Sequence, residues 1–96
     1  MRVMVKVHFN VAASNRAIKD GSLPKMIQGF IQKYKPEASY FLPENGTRTA
    51  YFFLDMKDAA QLPPLLEGWW SAAEASVSVT PAMNAEDLAQ GLQQLG

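Results

Sequence analysis

The segment EASYFLPENGTRTAYFFLD constrains the fold more than any other stretch of this chain. Asn45 and Gly46 lie between two runs rich in aromatic and apolar residues. This dipeptide is typical of a two-residue type I′ hairpin turn, because both central positions of that turn need a positive φ. The resulting register places large side chains opposite small ones at several positions, which favours it. It pairs Glu44 with Thr47, Leu42 with Thr49, Tyr40 with Tyr51, Ala38 with Phe53, Phe41 with Ala50 and Ser39 with Phe52.

Two further strands are predicted, one on each side of this hairpin in the sequence. Residues 2–10 alternate apolar and polar side chains with period two and are rich in valine. Residues 75–81, ASVSVTP, alternate in the same way. Alternation of this kind indicates half-buried strands.

Helices are predicted between the strands and after the last one. Apolar residues from Leu23 to Tyr34 recur at spacings of three and one, which is one stripe of an α-helix. Ser22 is predicted to cap this helix and Pro36 to end it. Gly29 within it predicts close packing on the sheet. A second helix is expected within residues 55–73, restarting with Pro63 in its first turn.

Two shorter helical segments complete the prediction. Residues 10–21 are small and polar, and we expect one short helical turn there before Gly21. Asn84 is predicted to cap a helix that runs through Leu95, and acidic residues in its first turn suit the positive end of the helix dipole.

The order strand, helix, strand, strand, helix, strand predicts an α+β chain with the ferredoxin-like βαββαβ arrangement. Right-handed crossovers fold two βαβ units into one four-stranded antiparallel sheet, with both helices on one face and a C-terminal helix following. The length of 96 residues suits a single domain spanning 1–96.

Composition excludes several classes of function. Nine basic and nine acidic residues give a net charge of zero, so we expect no nucleic-acid partner. The longest apolar run covers five residues, which argues against a membrane partner, and no leader of signal-peptide form is seen; a cytoplasmic protein is expected. One histidine and no cysteine predict no metal site, and no cofactor-binding motif is found.

The two faces of the predicted sheet differ in character. The face toward the helices is entirely apolar and predicts the core. The opposite face, which we call the open face, mixes apolar and polar side chains and is too apolar for a solvated surface. Two copies packed through it would form a homodimer that encloses a partly polar cavity. The open face is predicted to carry Met4, Lys6, His8, Asn10, Tyr40, Leu42, Thr49, Tyr51, Phe53, Ser76, Ser78 and Thr80.

The chain resembles the dimeric α+β-barrel superfamily, which includes muconolactone isomerases and cofactor-free antibiotic-biosynthesis monooxygenases. The segments DGSLPKMIQGFI, KPEASYF, LDMKDAAQLPPLLEGWW and TPAMNAEDL resemble a bacterial branch of it more specifically. The resemblance implies a homodimer whose two sheets form a barrel with a small-molecule pocket inside. The monooxygenases often place Asn, Arg and Trp around their pocket, and Asn10, Arg48 and Trp69 or Trp70 are of these types.

His8 is the candidate catalytic residue, because imidazole is the commonest general base. The alternative is a histidine that hydrogen-bonds within an interface. Lys6 and Asn10 belong to the same predicted face, and Ser78 is a predicted neighbour of His8. These three are candidate ligand-binding residues.

Four larger side chains complete the candidate site. Tyr40 and Tyr51 form a cross-strand pair that suits the walls of a pocket for a ring, or alternatively dimer packing. One of Trp69 and Trp70 is expected in the core, and the other is expected to close the pocket mouth or to pack on the partner copy; Trp69 is the candidate for the pocket. Arg48 is suited to clamp a substrate carboxylate through two parallel hydrogen bonds, or it is simply solvated beside the turn.

These observations predict a dimer that binds a small, partly hydrophobic molecule between its sheets. Proton transfer or isomerisation is the favoured chemistry, with His8 as the base. The alternatives are a non-catalytic structural or ligand-binding dimer and a cofactor-independent monooxygenase.

Overall fold

The computed structural model describes residues 1–96 and contains one antiparallel sheet with helices on one side of it. The strands occur in the order β2-β3-β1-β4, which agrees with the predicted ferredoxin-like α+β fold. The elements are β1 (Arg2–His8), α1 (Val11–Lys19), α2 (Ser22–Tyr34), β2 (Ala38–Glu44), β3 (Thr47–Asp55), a 3₁₀ turn (Ala59–Gln61), α3 (Leu62–Ala73), β4 (Ser76–Pro81) and α4 (Ala85–Gln93).

The hairpin of β2 and β3 has the predicted register throughout. Tyr40 faces Tyr51, Phe41 faces Ala50, and every other predicted pair is present. Asn45 has a φ of 52° and Gly46 a φ of 80°, as a type I′ turn requires. The turn chemistry therefore determines which side chains share a face of the sheet.

The core lies between the sheet and helices α2 and α3. Alternate residues of β1 and β3 are fully buried, as the apolar face of the sheet predicts. Phe30 of α2 and Trp69 of α3 meet there, with ring centres 5.2 Å apart, and both contact Phe52 of β3. Val77 and Val79 are only half-buried, since β4 is an edge strand.

The segment after β1 differs most from expectation. The prediction of one helical turn was wrong, because α1 extends over nine residues. The prediction that Asn10 continues the strand onto the open face was also wrong. Its side chain accepts a hydrogen bond from the Ala13 N–H at 2.8 Å and caps α1. Ala13 and Ser14 are buried, so tertiary packing stabilises a segment with little apolar character.

Two details of α2 also differ. Ser22 does not cap the helix: Gly21, at a φ of 80°, precedes it, and the Ser22 N–H donates to Asp20 Oδ1 at 2.8 Å. Gly29 is exposed, and a Cβ added there would meet nothing within 4 Å. Close packing on the sheet is therefore not the reason for this glycine.

Helices α3 and α4 begin as predicted. Prolines occupy the first turn of α3, following the 3₁₀ turn that Asp58 caps. Asn84 and Asp87 form a reciprocal capping box at the start of α4, which ends two residues before Leu95. No helix combines the length and apolar character that crossing a membrane requires.

Candidate functional site

The open face carries a group of hydrogen-bonded polar side chains at the hairpin end of the sheet, which we call the polar cluster: Lys6, His8, Glu44, Thr47 and Tyr51. Glu44 is its centre, since one carboxylate oxygen pairs with Lys6 Nζ and the other accepts from the Tyr51 hydroxyl. Lys6 Nζ also lies 5.8 Å from the centre of the Tyr51 ring.

Strand pairing explains this assembly. Lys6 of β1 lies directly opposite Tyr51 of β3, and Glu44 ends β2 on the same face. Sequence reasoning did not include Glu44 or Thr47. Glu44 has the same alternation as Tyr40 and Leu42, so the predicted register already assigned it to the open face.

His8 contacts Thr47 through Nε2. The Thr47 hydroxyl has a single proton, which it donates to the Glu44 backbone carbonyl at 3.1 Å. When the hydroxyl proton goes to this carbonyl, His8 Nε2–H is the donor to Thr47 Oγ1, and Nδ1 of the neutral ring holds the lone pair. This arrangement suits either a general base acting through Nδ1 or a histidine that stabilises the hairpin.

The charges of the polar cluster follow from its hydrogen bonds. The bond to Glu44 raises the pKa of the Lys6 ammonium, and the bonds from Lys6 and Tyr51 lower the pKa of the Glu44 carboxyl. Glu44 likewise raises the pKa of the Tyr51 phenol. At neutral pH the cluster therefore contains an ammonium, a carboxylate and a protonated phenol.

A hollow of about 290 Å³ adjoins the polar cluster. Lys6, His8 and Glu44 line it on one side, and Ser76 and Ser78 of β4 line it on the other. Ser78 pairs with Lys6 and Ser76 with His8, so Ser78, the predicted neighbour of His8, lies two residues along β4 from the position opposite it. Tyr40 does not line this hollow and is 61% exposed.

A larger concave surface lies on the opposite side of the sheet, and we call it the helix-side groove. It has a volume of about 590 Å³ and runs between α1, α2 and the β2–β3 hairpin. Buried Phe9 and Leu23 contribute to its lining. Its wall and rim are formed by Ile18, Pro24, Ile27, Gln28, Phe41, Pro43 and Arg48, and also by Leu42 and Thr49, although strand alternation assigns these last two to the open face.

Arg48 is the one charged residue of the helix-side groove. Its Nη1 donates to Ser14 Oγ and to Asn15 Oδ1, each at 2.8 Å. These two bonds use both Nη1 hydrogens and fix the guanidinium against α1, while Nε and Nη2 keep their donors. Arginine held in this way presents a planar pair of donors that matches a carboxylate.

The structure thus separates the predicted site residues into different places. Lys6, His8, Tyr51 and Ser78 come together on the open face, and Arg48 lies on the other side of the sheet.

The two tryptophans have different surroundings. Trp69 is 2% exposed and packs in the core, where its indole Nε1 has no hydrogen-bond partner. Trp70 is 46% exposed. Trp69 is thus the tryptophan that faces the core, and neither lines the hollow or the helix-side groove.

Comparison with models of protein families, with curated proteins and with solved structures finds no match to this chain.

Proposed function

We propose that this chain binds a small, partly hydrophobic molecule with a carboxylate group, and that the helix-side groove is the binding site. The observation that carries the proposal is Arg48, fixed by Ser14 and Asn15 with free donors, as the one charged side chain of a mostly apolar groove. A volume of about 590 Å³ lies within the usual range for small-molecule sites, roughly 300–1,000 Å³. An apolar tail would contact Ile27 and Phe41, and its carboxylate would pair with Arg48.

Thermal unfolding with decanoate and with decanol tests this proposal. A ligand that binds only the folded chain raises the melting temperature, and at a hundred times its Kd it adds about 2.7 kcal/mol. We expect decanoate to stabilise the chain more than decanol does. Arg48→Gln should weaken decanoate binding by roughly tenfold and leave decanol unchanged, since only the carboxylate loses its partner.

Arg16→Gln is the matched control, because Arg16 also lies at α1 but pairs with Glu74 away from the groove. Equal binding of decanoate by wild type and Arg48→Gln would contradict the role of Arg48. No stabilisation by either compound would contradict the groove as a site for apolar chains.

The second part of the proposal is a homodimer formed through the open face. Tyr40 and Leu42 are exposed there beside half-buried Met4 and Phe53. An apolar patch of this kind is typical of an interface. The resemblance to the dimeric α+β-barrel superfamily supports the same arrangement. Sedimentation at micromolar concentration should give twice the chain mass, and a monomer would contradict it.

A second candidate function is proton transfer at the polar cluster, in the cavity that such a dimer would enclose. The observation favouring it is the contact of His8 Nε2 with the Thr47 hydroxyl, which leaves Nδ1 as the proton acceptor when Nε2–H is the donor. The probe for this test is a small unsaturated lactone, chosen because muconolactone isomerases are among the proteins that the chain resembles. Exchange of its α-proton in D₂O, followed by NMR, detects the step without a known product.

We expect His8→Gln to abolish this exchange, because the amide cannot accept a proton at neutral pH. Ser76→Ala is the control on the same hollow. If wild type catalyses no exchange over a panel of lactones, the non-catalytic dimer is the better interpretation. Oxygen uptake with phenolic substrates and no added cofactor distinguishes the remaining alternative, a cofactor-independent monooxygenase.

A further inference from the structure

Ser14 has one of the two buried polar side chains of the chain, and it lies near the start of α1. It is 2% exposed, whereas Val11 and Asn15 on the same helix are exposed. The residue that caps α1 also fixes its backbone, because the Ser14 N–H donates to the Asn10 carbonyl at 2.9 Å. A buried hydroxyl normally has hydrogen-bond partners, and Ser14 has two.

The chemistry of these two partners fixes the proton of the Ser14 hydroxyl. Arg48 Nη1 can only donate, and it lies 2.8 Å from Ser14 Oγ. The Val11 carbonyl can only accept, and it lies 3.1 Å from the same oxygen. The hydroxyl therefore donates to Val11 and accepts from Arg48. Ser14 holds the arginine through a lone pair whose direction is set by the first turn of α1.

This bond decides which edge of the Arg48 guanidinium is left for a ligand. The planar group has two edges that offer paired N–H donors, one formed by Nη1 and Nη2 and the other by Nε and Nη2. Both Nη1 hydrogens are used, one by Ser14 Oγ and one by Asn15 Oδ1. The edge formed by Nε and Nη2 keeps its donors, so a carboxylate in the helix-side groove would bind Arg48 there.

The helix-side groove also limits the charge of the ligand. Arg48 is its one charged side chain, so it can neutralise a head group with one negative charge but not one with two. An unpaired charge is costly in a mostly apolar site. A phosphate monoester carries a charge of about −1.5 to −2 at neutral pH. The matching head group is therefore a single carboxylate.

The bonds from α1 also favour binding by ordering Arg48 in advance. Arg48 is exposed, and an exposed arginine that is free to move must be immobilised when a ligand binds. Immobilising one such side chain lowers the affinity by roughly 2- to 13-fold. Because Ser14 and Asn15 already hold Nη1, loss of either bond should forfeit part of this advantage.

We propose that Ser14 is a positioning residue for a ligand with one carboxylate, which binds side-on to Nε and Nη2 of Arg48. We rest this inference on the binding site of the proposed function, to which it adds the charge and orientation of the head group and the residue that sets them. A Ser14 with a purely structural role would tie α1 to β3 and would not affect the choice of ligand.

Calorimetric titration with decanoate, decanol and decyl phosphate tests the proposal. Wild type should bind decanoate at least about tenfold more tightly than decyl phosphate. Ser14→Ala should weaken decanoate binding by roughly 3- to 10-fold and change decanol binding by less than about twofold. Alanine is the best helix former, so this variant should keep α1. Ser71→Ala is the matched control, because Ser71 Oγ also donates to a carbonyl of its own helix, that of Glu67 at 2.8 Å, and holds no arginine.

Two further measurements test the route through Arg48. In the Arg48→Gln background, Ser14→Ala should leave decanoate affinity unchanged, since the side chain that Ser14 holds is gone. The proton NMR signal of Arg48 Nε–H should shift with decanoate and not with decanol. Absence of that shift would overturn the side-on geometry.

The outcomes separate a failure of this proposal from a failure of the groove as a binding site. Positioning by Ser14 is overturned if Ser14→Ala weakens decanoate and decanol equally, or if it leaves decanoate affinity unchanged while Arg48→Gln lowers it. Decyl phosphate binding as tight as that of decanoate would overturn the preference for a single charge. If wild type binds none of the three compounds, the proposed function fails as well.

Discussion

Trp69 offers the most direct test of the packing that holds both candidate sites in position. Its ring contacts those of Phe9, Phe30 and Phe52, at 5.8, 5.2 and 5.9 Å between centres. It is 2% exposed, yet its Nε1–H has no hydrogen-bond partner. Packing of the side chain therefore raises the free energy of unfolding strongly, and burial of its unpaired N–H donor offsets part of that gain.

These two effects can be separated by two substitutions. Trp69→Ala removes the whole ring, and truncation of a buried aromatic side chain costs about 3–5 kcal/mol. Trp69→Phe keeps a ring against Phe30 and Phe52. It removes a donor whose burial without a partner costs about 1–3 kcal/mol, which offsets much of the lost packing. We expect Trp69→Phe to lie within about 1 kcal/mol of wild type.

Thermal unfolding measures both changes, since about 1 kcal/mol corresponds to roughly 4–8 °C in a domain of this size. Trp69→Ala should lower the melting temperature by at least about 12 °C, and Trp69→Phe by less than about 8 °C. Trp70→Ala is the control. Removal of its half-exposed ring should lower the free energy of unfolding by less than about 1 kcal/mol. If Trp69→Phe is as destabilising as Trp69→Ala, the indole N–H has a stabilising partner and the reasoning is refuted.

Three further predictions concern two glycines, the C-terminal helix and acid stability. Gly29→Ala should stabilise the chain by up to about 1 kcal/mol in denaturant unfolding, and Gly46→Ala should destabilise it by about 1–2 kcal/mol, because only Gly46 has a positive φ. Asn84→Ala should reduce helical circular dichroism without lowering the melting temperature of the core, since α4 lies outside it. Lys57 and the Met1 amino group lower the pKa of Asp55 from 3.8 to about 2. Its contribution to stability is thus complete above pH 3.8 and lost as pH falls through about 2; Asp55→Asn should flatten that part of the pH–stability curve.

The parts of the fold that sequence predicted well are those governed by local chemistry. Asn45 and Gly46 allow one turn type, and that turn sets the pairing of every residue in the hairpin. Asn84 likewise predicted the start of α4 from capping alone. In each case a few adjacent residues decide the backbone conformation, so no knowledge of distant contacts was needed.

The prediction for the α1 segment was wrong for the opposite reason, because its conformation depends on distant contacts. VAASNRAIK has small and polar residues and no strong apolar stripe, so its sequence favoured a short turn. Its helix depends on the Asn10 cap and on burial of Ala13 and Ser14 against the rest of the chain. Tertiary packing overrides weak local preference here, and the same burial positions Ser14 to hold Arg48.

The candidate site was predicted in part because alternation along a strand assigns side chains to faces. Lys6, His8 and Tyr51 come together as expected, and the same rule applied to Glu44 would have completed the polar cluster. Strand alternation could not predict the helix-side groove. Its volume depends on how far α2 lies from β2, a distance that no periodicity in the sequence encodes.

The separation of Arg48 from His8 has a consequence for the function of the chain. A carboxylate bound to Arg48 lies on the helix side of the sheet, whereas Nδ1 of His8 belongs to the open face. We expect no small molecule to contact both, so binding in the groove and proton transfer at the polar cluster would be independent activities. The effects of Arg48→Gln and His8→Gln on ligand binding and on proton exchange should then be additive, because substitutions that share no partners show little coupling. Strong coupling between them would instead mean that the sheet transmits a change from one face to the other.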